Sequence, residues 1–274
     1  MLRVATFNVN GIRAAHRRGF TDWLDARSPD VVALQEVRAG VDDVPADALG
    51  GYHLAYHPGN LPGRNGVGFL TRQPPAAVRM GFGNRRFDPE GRYLEVDLDI
   101  PGRPPLTLGT LYLPKGAIAD GRDADPAKYR RKMTFMASLR AYLTRARRAA
   151  RTAGREFAVM GDFNVAHQPL DLKNWRTNQR SEGFLPEERA WFGTLVSPRT
   201  LTDVVRTLHP DEPGPYSWWS WRGQSFANDT GWRIDYQLAT PALAAAAITA
   251  GTDRDASYEA RISDHAPVVV DYDV

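Results

Sequence analysis

The sequence predicts an α/β protein built as a four-layer α/β sandwich, two mixed β-sheets packed face to face with helices outside. Three observations predict it. Apolar runs of strand length recur along the whole chain, segments with helical periodicity lie between some of them, and several neighbouring runs read as hairpin pairs. No internal repeat, low-complexity linker or sharp change of composition divides the 274 residues, so 1–274 reads as one domain.

The expected strands cover residues 2–7, 31–34, 66–71, 93–100, 106–113, 157–160, 233–239 and 267–272. The clearest is 93–100, where apolar and polar residues alternate strictly, as a sheet with one wetted face requires. Pro101 and Gly102 then supply a turn that pairs it with 106–113. The best helix spans 126–151. Asp125 stands where an N-cap belongs, Pro126 suits the first turn, and Met133, Met136, Leu139 and Leu143 form an apolar stripe. Arg145, Arg147, Arg148 and Arg151 make its tail basic; the helix macrodipole favours cations there, and we read them as a solvated face.

Composition removes several function classes. With 42% hydrophobic and 24% charged residues the chain reads as an ordinary globular protein, and no apolar run approaches the roughly 18 residues of a membrane helix. Cys is absent, which excludes disulfide scaffolds, thiolate nucleophiles, iron–sulfur clusters and Cys-ligated zinc. The first residues enter a strand directly, without a secretory pattern, so a cytoplasmic protein with no membrane partner is expected. A net charge of only +3 confines any nucleic-acid footprint to a local patch.

Five segments place acids, amides or a His directly after an apolar strand: Phe7-Asn8-Val9-Asn10, Leu34-Gln35-Glu36, Gly161-Asp162-Phe163-Asn164, Arg233-Ile234-Asp235-Tyr236 and Ser263-Asp264-His265. One such residue is ordinarily a turn or cap former. Together they form an oxygen-rich set with no Cys and little His, which suits a hard cation such as Mg²⁺ rather than zinc or copper.

Read in order, with Tyr112 before Pro114, Val165-Ala166-His167 after Asn164, Gly231-Trp232 before Arg233 and Ala266-Pro267 after His265, these segments resemble the exonuclease III family of Mg²⁺-dependent DNA repair nucleases, within the endonuclease/exonuclease/phosphatase superfamily. The resemblance spans nearly the whole chain. It implies an enzyme that cleaves DNA phosphodiesters 5′ to abasic sites and trims 3′ ends of duplexes, leaving 3′-hydroxyls, as a monomer associated with the nucleoid. It implies Glu36 as the primary Mg²⁺ ligand, with Asn8, Asp162, Asn164, Asp264 and His265 around it and Mn²⁺ as a substitute ion. Asp162 would orient or deprotonate water, Asn164 would donate to the scissile phosphate, and Tyr112 would stand beside that phosphate. Asp235 would fix the tautomer of His265 and favour its charged form. Whether His265 or Asp162 is the base, and whether one metal ion or two are held, stays open.

For substrate choice the resemblance implies Trp218, Trp232 and Ile234 as walls of a pocket for an extruded baseless sugar. Strand alternation sets Trp218 opposite Trp219 and Trp221. Lys173, Asn174 and Trp175 correspond to a loop that approaches the duplex, while Arg64 and Asn65 sit in a turn able to reach the backbone. Two positions depart from relatives: Asn10 where some have Asp, and Lys115 where bacterial relatives often have an uncharged amide, adding a candidate phosphate contact. A phosphatase of small phosphoesters and a lesion-binding module without turnover are the rival readings.

Overall fold

Alternation along the strands decides the layering, since each strand sends successive side chains to opposite faces. The computed structural model describes residues 1–274. In chain order its elements are β1 (Leu2–Asn8), α1 (Ile12–Arg17), α2 (Phe20–Arg27), β2 (Val31–Gln35), β3 (His53–His57), β4 (Val67–Thr71), β5 (Ala77–Met80), β6 (Tyr93–Leu98), β7 (Leu106–Tyr112), α3 (Pro126–Thr152), β8 (Glu156–Asp162), α4 (Pro186–Gly193), β9 (Thr202–Asp203), α5 (Val204–Leu208), β10 (Asp235–Ala239), α6 (Pro241–Ala245), β11 (Ala247–Thr252) and β12 (Val268–Tyr272). They form two six-stranded mixed sheets, ordered β11-β12-β1-β2-β4-β3 and β5-β6-β7-β8-β10-β9.

Three cores separate the four layers. Between the sheets, Val4, Val31, Ala33 and Phe69 meet Leu94, Val96, Leu108 and Met160. On the outside of the first sheet, Phe7, Val32 and Leu34 pack against Ile12, Phe20 and Leu24 of α1 and α2. Outside the second, Leu111, Phe157 and Val159 pack against Phe135, Met136, Leu139 and Leu143 of α3 and Phe192 of α4. Asp125 caps α3 as expected, accepting a hydrogen bond from the Lys128 amide at 3.0 Å. No helix is long and apolar enough to cross a membrane.

The predicted β6–β7 hairpin forms, but the first half of its polar face is not wetted, while Asp97 and Asp99 further along reach solvent. Tyr93 and Glu95 lie under α3, where Glu95 is 3% exposed and accepts hydrogen bonds from Tyr93, Tyr142 and Arg79. The buried acid Glu95 is thus satisfied by two phenols and a guanidinium rather than by water.

Buried amides tie the sheets together below the strand ends. Gln35 Nε2 donates to Thr110 Oγ1 across the sandwich at 3.0 Å, and Gln237 Nε2 donates to the Val4 carbonyl at 3.0 Å. Such ties are directional where apolar packing is not, so they set the two sets of strand ends in fixed register.

Candidate active site

Strand register brings the chemistry together. In the second sheet Tyr112 lies opposite Asp162, and Asp162 opposite Asp235, on three adjacent strands. In the first, Asn8 lies opposite Gln35, which places Glu36 one residue past the strand end. Glu36 and Asn164 both hold left-handed backbone, at φ 50° and 46°, a conformation that Asn tolerates far better than Glu. The chain turns sharply at both points, and their side chains point into one cleft.

That cleft has a volume of about 640 Å³ and is lined by Glu36, Arg38, Tyr112, Lys115, Asp162, Asn164, Trp218, Trp232, Ile234, Asp264 and His265, among others. Asn8 and Asp235 lie beneath it. The Asn8 amide bridges the two sheets, donating to Glu36 Oε1 and to Asp162 Oδ2, both at 2.9 Å. Asp162, 1% exposed, also accepts from the Asn164 amide N–H at 2.8 Å. Asn164 Nδ2 donates to the Leu113 carbonyl at 2.9 Å and to Asp162 Oδ2 at 3.3 Å, so donation to a substrate would exchange one of these bonds.

His265 is held from behind. Its Nδ1 lies 2.8 Å from Asp235 Oδ2, which also accepts from Ser217 Oγ at 2.6 Å, while its Nε2 faces Asp162 Oδ2 at 3.7 Å. Burial works against the imidazolium, but the adjoining Asp235, with Asp162 and Asp264 near, holds His265 well above its ordinary value. Burial and the charges of Asp235 and Glu36 push Asp162 upward against the attraction of His265. Burial raises the Tyr112 phenol too, reinforced by Glu36 and Asp162, so it stays a hydrogen-bond donor. Asp264 also lines the cleft, with its two oxygens accepting from Asn10 Nδ2 at 2.7 Å and from Trp218 Nε1 at 3.1 Å.

Glu36, Asp162 and His265 offer ligand atoms within 4.8 Å of one another. Two carboxylates with amide oxygens nearby are a donor set that fits a hard divalent cation. Arg38, which the sequence did not single out, pairs with Glu36 Oε2 through both Nε and Nη2, so an ion on that oxygen would share it with a guanidinium. Ser217 is the other unanticipated member; its hydroxyl also accepts the Ile234 and Asp235 amides, both at 3.1 Å.

Trp218 and Trp232 meet edge to face, ring centres 6.4 Å apart, and with Ile234 form an apolar wall beside the polar floor. Trp219 points the opposite way, into a core with Tyr216, Phe226 and Ala266. Lys115 is exposed on the rim and pairs with Glu182 at 3.4 Å. The other substrate candidates lie outside the cleft. Lys173, Asn174 and Trp175 border a separate shallow depression, with Arg176 stacked over Trp175. Arg64 is exposed at a turn whose neighbour Asn65 is buried, with Nδ2 bonded to the Glu90 carbonyl and its own carbonyl accepting the Arg38 amide. Asn65 thereby props the Glu36–Arg38 segment.

Known proteins share this arrangement of chain. Residues 5–265 match the Endonuclease/Exonuclease/phosphatase family. The DNA repair nuclease APEX1 of Danio rerio is 32% identical over 273 residues, 98% of this chain and 81% of that protein. Exodeoxyribonuclease III of Haemophilus influenzae is 30% identical over 282 residues, 99% of this chain and 100% of that one. The structure of an AP endonuclease from Archaeoglobus fulgidus superposes with a TM-score of 0.84 at 28% identity, covering 100% of both chains. A 3′-5′ exonuclease from Neisseria meningitidis does so at 0.83 and 27%, again over 100% of both.

Proposed function

The chain belongs to the endonuclease/exonuclease/phosphatase family, and from that premise we infer that it is a DNA repair nuclease of the exonuclease III and AP endonuclease type. It hydrolyses DNA phosphodiesters 5′ to abasic sites and at 3′ ends, leaving 3′-hydroxyls, with residues 1–274 acting as a monomeric catalytic domain on chromosomal DNA in the cytoplasm, at the nucleoid. The observation that carries the reading is the meeting of Asn8 and Glu36 from the first sheet with Asp162 of the second and the Asp235–His265 pair, beside a Trp-walled recess.

Mg²⁺, for which Mn²⁺ can substitute, is the ion this donor set suits, with Glu36 as its principal ligand and Asn8, Asp162, Asn164 and Asp264 as the surrounding candidates, while His265, once protonated, stands beside the ion as a donor and not as a ligand. When bound it supplies Lewis-acid polarisation of the phosphate. The chain's own residues do the rest. Asp235 keeps His265 protonated, so Nε2 is a donor aimed at the phosphate oxygens rather than a base. That leaves Asp162 to orient the attacking water and take its proton, helped by a carboxylate whose burial raises its basicity. Tyr112 and Asn164 donate hydrogen bonds to the non-bridging oxygens as charge builds on them. Trp218, Trp232 and Ile234 receive a baseless sugar and leave no room for an intact nucleotide. Lys115 at the rim, with Arg64, Lys173, Asn174 and Trp175 on the flanks, hold the duplex through its backbone.

One end-labelled duplex with an internal abasic analogue tests this. Internal incision and 3′ trimming with Mg²⁺, both abolished by EDTA, are the expected result, with inositol phosphates left uncleaved. Asp162→Asn should lower kcat by about 10²- to 10⁴-fold, the usual span of a positioned acid–base group. Near wild-type cleavage by that variant would remove the central assignment.

A further inference from the structure

The inward face of α3 is apolar, with Phe135, Met136, Leu139 and Leu143 fully buried, except at Lys132. Lys132 has no exposed surface, and the chemistry proposed above does not use it. Burying an ammonium costs several kcal/mol unless its protons are matched by acceptors. Here Nζ donates to the Asn164 carbonyl at 2.9 Å and to the Lys115 carbonyl at 3.1 Å, and Glu188 Oε1 stands 2.6 Å away as its counter-ion. Glu188 in turn accepts the Leu185 amide through Oε2 at 3.0 Å at the start of α4. The alkyl stem of Lys132 packs under Gly116, where a Cβ would come within 2.4 Å of its Cδ.

The two carbonyls belong to the segments that form the second-sheet side of the cleft. Asn164 is the left-handed turn residue whose amide fixes Asp162 Oδ1, and Lys115 stands on the rim three residues beyond Tyr112. An apolar side chain in this place would fill the same volume, yet it could not fix which way either peptide faces. We propose that Lys132, balanced by Glu188, is a positioning residue: its ammonium clamps the Asn164 and Lys115 carbonyls and so holds the Asp162–Asn164 turn and the Lys115 loop in their working orientation. This rests on the nuclease reading given above.

The test compares wild type, Lys132→Arg and the paired change Lys132→Met with Glu188→Leu, which removes both charges and strands neither. Circular dichroism and thermal melting first establish the fold. The folded paired variant should lose kcat on the abasic duplex by about 10- to 100-fold, the scale of a small misplacement of reacting groups, with KM changed by less than about threefold. Lys132→Arg keeps the charge and the donors and should restore most of kcat. A folded paired variant with kcat within about twofold of wild type, or a loss confined to KM, overturns the proposal. If the paired variant does not fold, Lys132→Gln, which is shorter and uncharged and so cannot hold both carbonyls while balancing Glu188, is judged by the same split. Amide hydrogen exchange across residues 162–167 is measured in parallel and should rise in the charge-free variant. An inactive wild type with that rise would defeat the nuclease reading and leave the clamp standing, while unchanged exchange with unchanged kcat would defeat the clamp alone.

Discussion

Ser217 shows how much of this site depends on a side chain that performs no chemistry. Its hydroxyl donates to Asp235 Oδ2 and accepts two backbone amides, so one atom aligns the carboxylate that aligns His265. Ser217→Ala removes all three bonds in a buried place. It should cost about 1–3 kcal/mol of stability by urea denaturation. It should also lower kcat by about tenfold while KM for duplex barely moves, because His265 loses its fixed direction rather than its charge. Asn8, Glu36, Asp162 and Asn164 end or follow strands as expected, whereas Asp235 opens β10 and Asp264 and His265 precede β12 rather than following a strand; all seven were legible in the sequence because a polar group beside an apolar run interrupts a pattern. Ser217, Arg38 and Lys132 were not. A Ser between aromatics, an Arg two residues after a Glu and a Lys in an Arg-rich helix carry no local signal, and each acquires its role only when distant segments approach it.

At the scale of elements, one buried ionic cluster sets the apolar wall of the cleft. Arg233 lies between Trp232 and Ile234 in sequence and points the other way, donating to Asp171 at 2.7 Å and to Asp203 at 2.8 Å, while Arg206 joins on Asp171 at 2.6 Å. Pinning Arg233 inward is what turns its two neighbours toward the cleft. Burial alone would raise Asp171, but Arg233 and Arg206 more than reverse this and hold it below its ordinary 3.8. Its stabilisation is therefore complete above that pH and is lost as pH falls below it toward the depressed native value. Asp171→Asn should cost about 3–5 kcal/mol at neutral pH by leaving buried guanidinium groups unbalanced. The gap from wild type should narrow in acid melts below pH 3.8. Most elements were legible before their packing was known: α3 begins at the expected cap, and β1, β2, β6, β7, β8 and β12 fall within a residue or two of the apolar runs. The strands β3, β5, β9 and β11 were missed because they are short or lie at or near sheet edges with exposed faces. The sequence Ala77-Val78-Arg79-Met80 is mostly exposed, so burial imposes no alternation on it. The Ala- and Gly-containing stretch of β11 likewise lacks a strand's usual signal.

For the molecule as a whole, a net charge of +3 means that duplex affinity depends on cations local to the cleft rim, such as Lys115 and Arg180, rather than on a global field. Binding measured by fluorescence anisotropy in EDTA should persist while incision stops. It should also weaken steeply between 50 and 200 mM salt, by about 10³-fold if some six phosphates are contacted. A slope near zero would show that the backbone is not what the surface holds. The sheets also differ in ancestry along the chain. The second is drawn entirely from the middle, whereas the first pairs β1 with β12, Leu2 opposite Tyr272. At about 5–20 residues per second, a ribosome completes β12 only some tens of seconds after β1 has emerged. Until then β1 lacks one hydrogen-bonded neighbour, and Asn8 and Glu36 wait for Asp264 and His265. A nascent or prematurely terminated polypeptide is thus expected to be chemically silent, with the capacity to cut DNA arriving only with the closing strand.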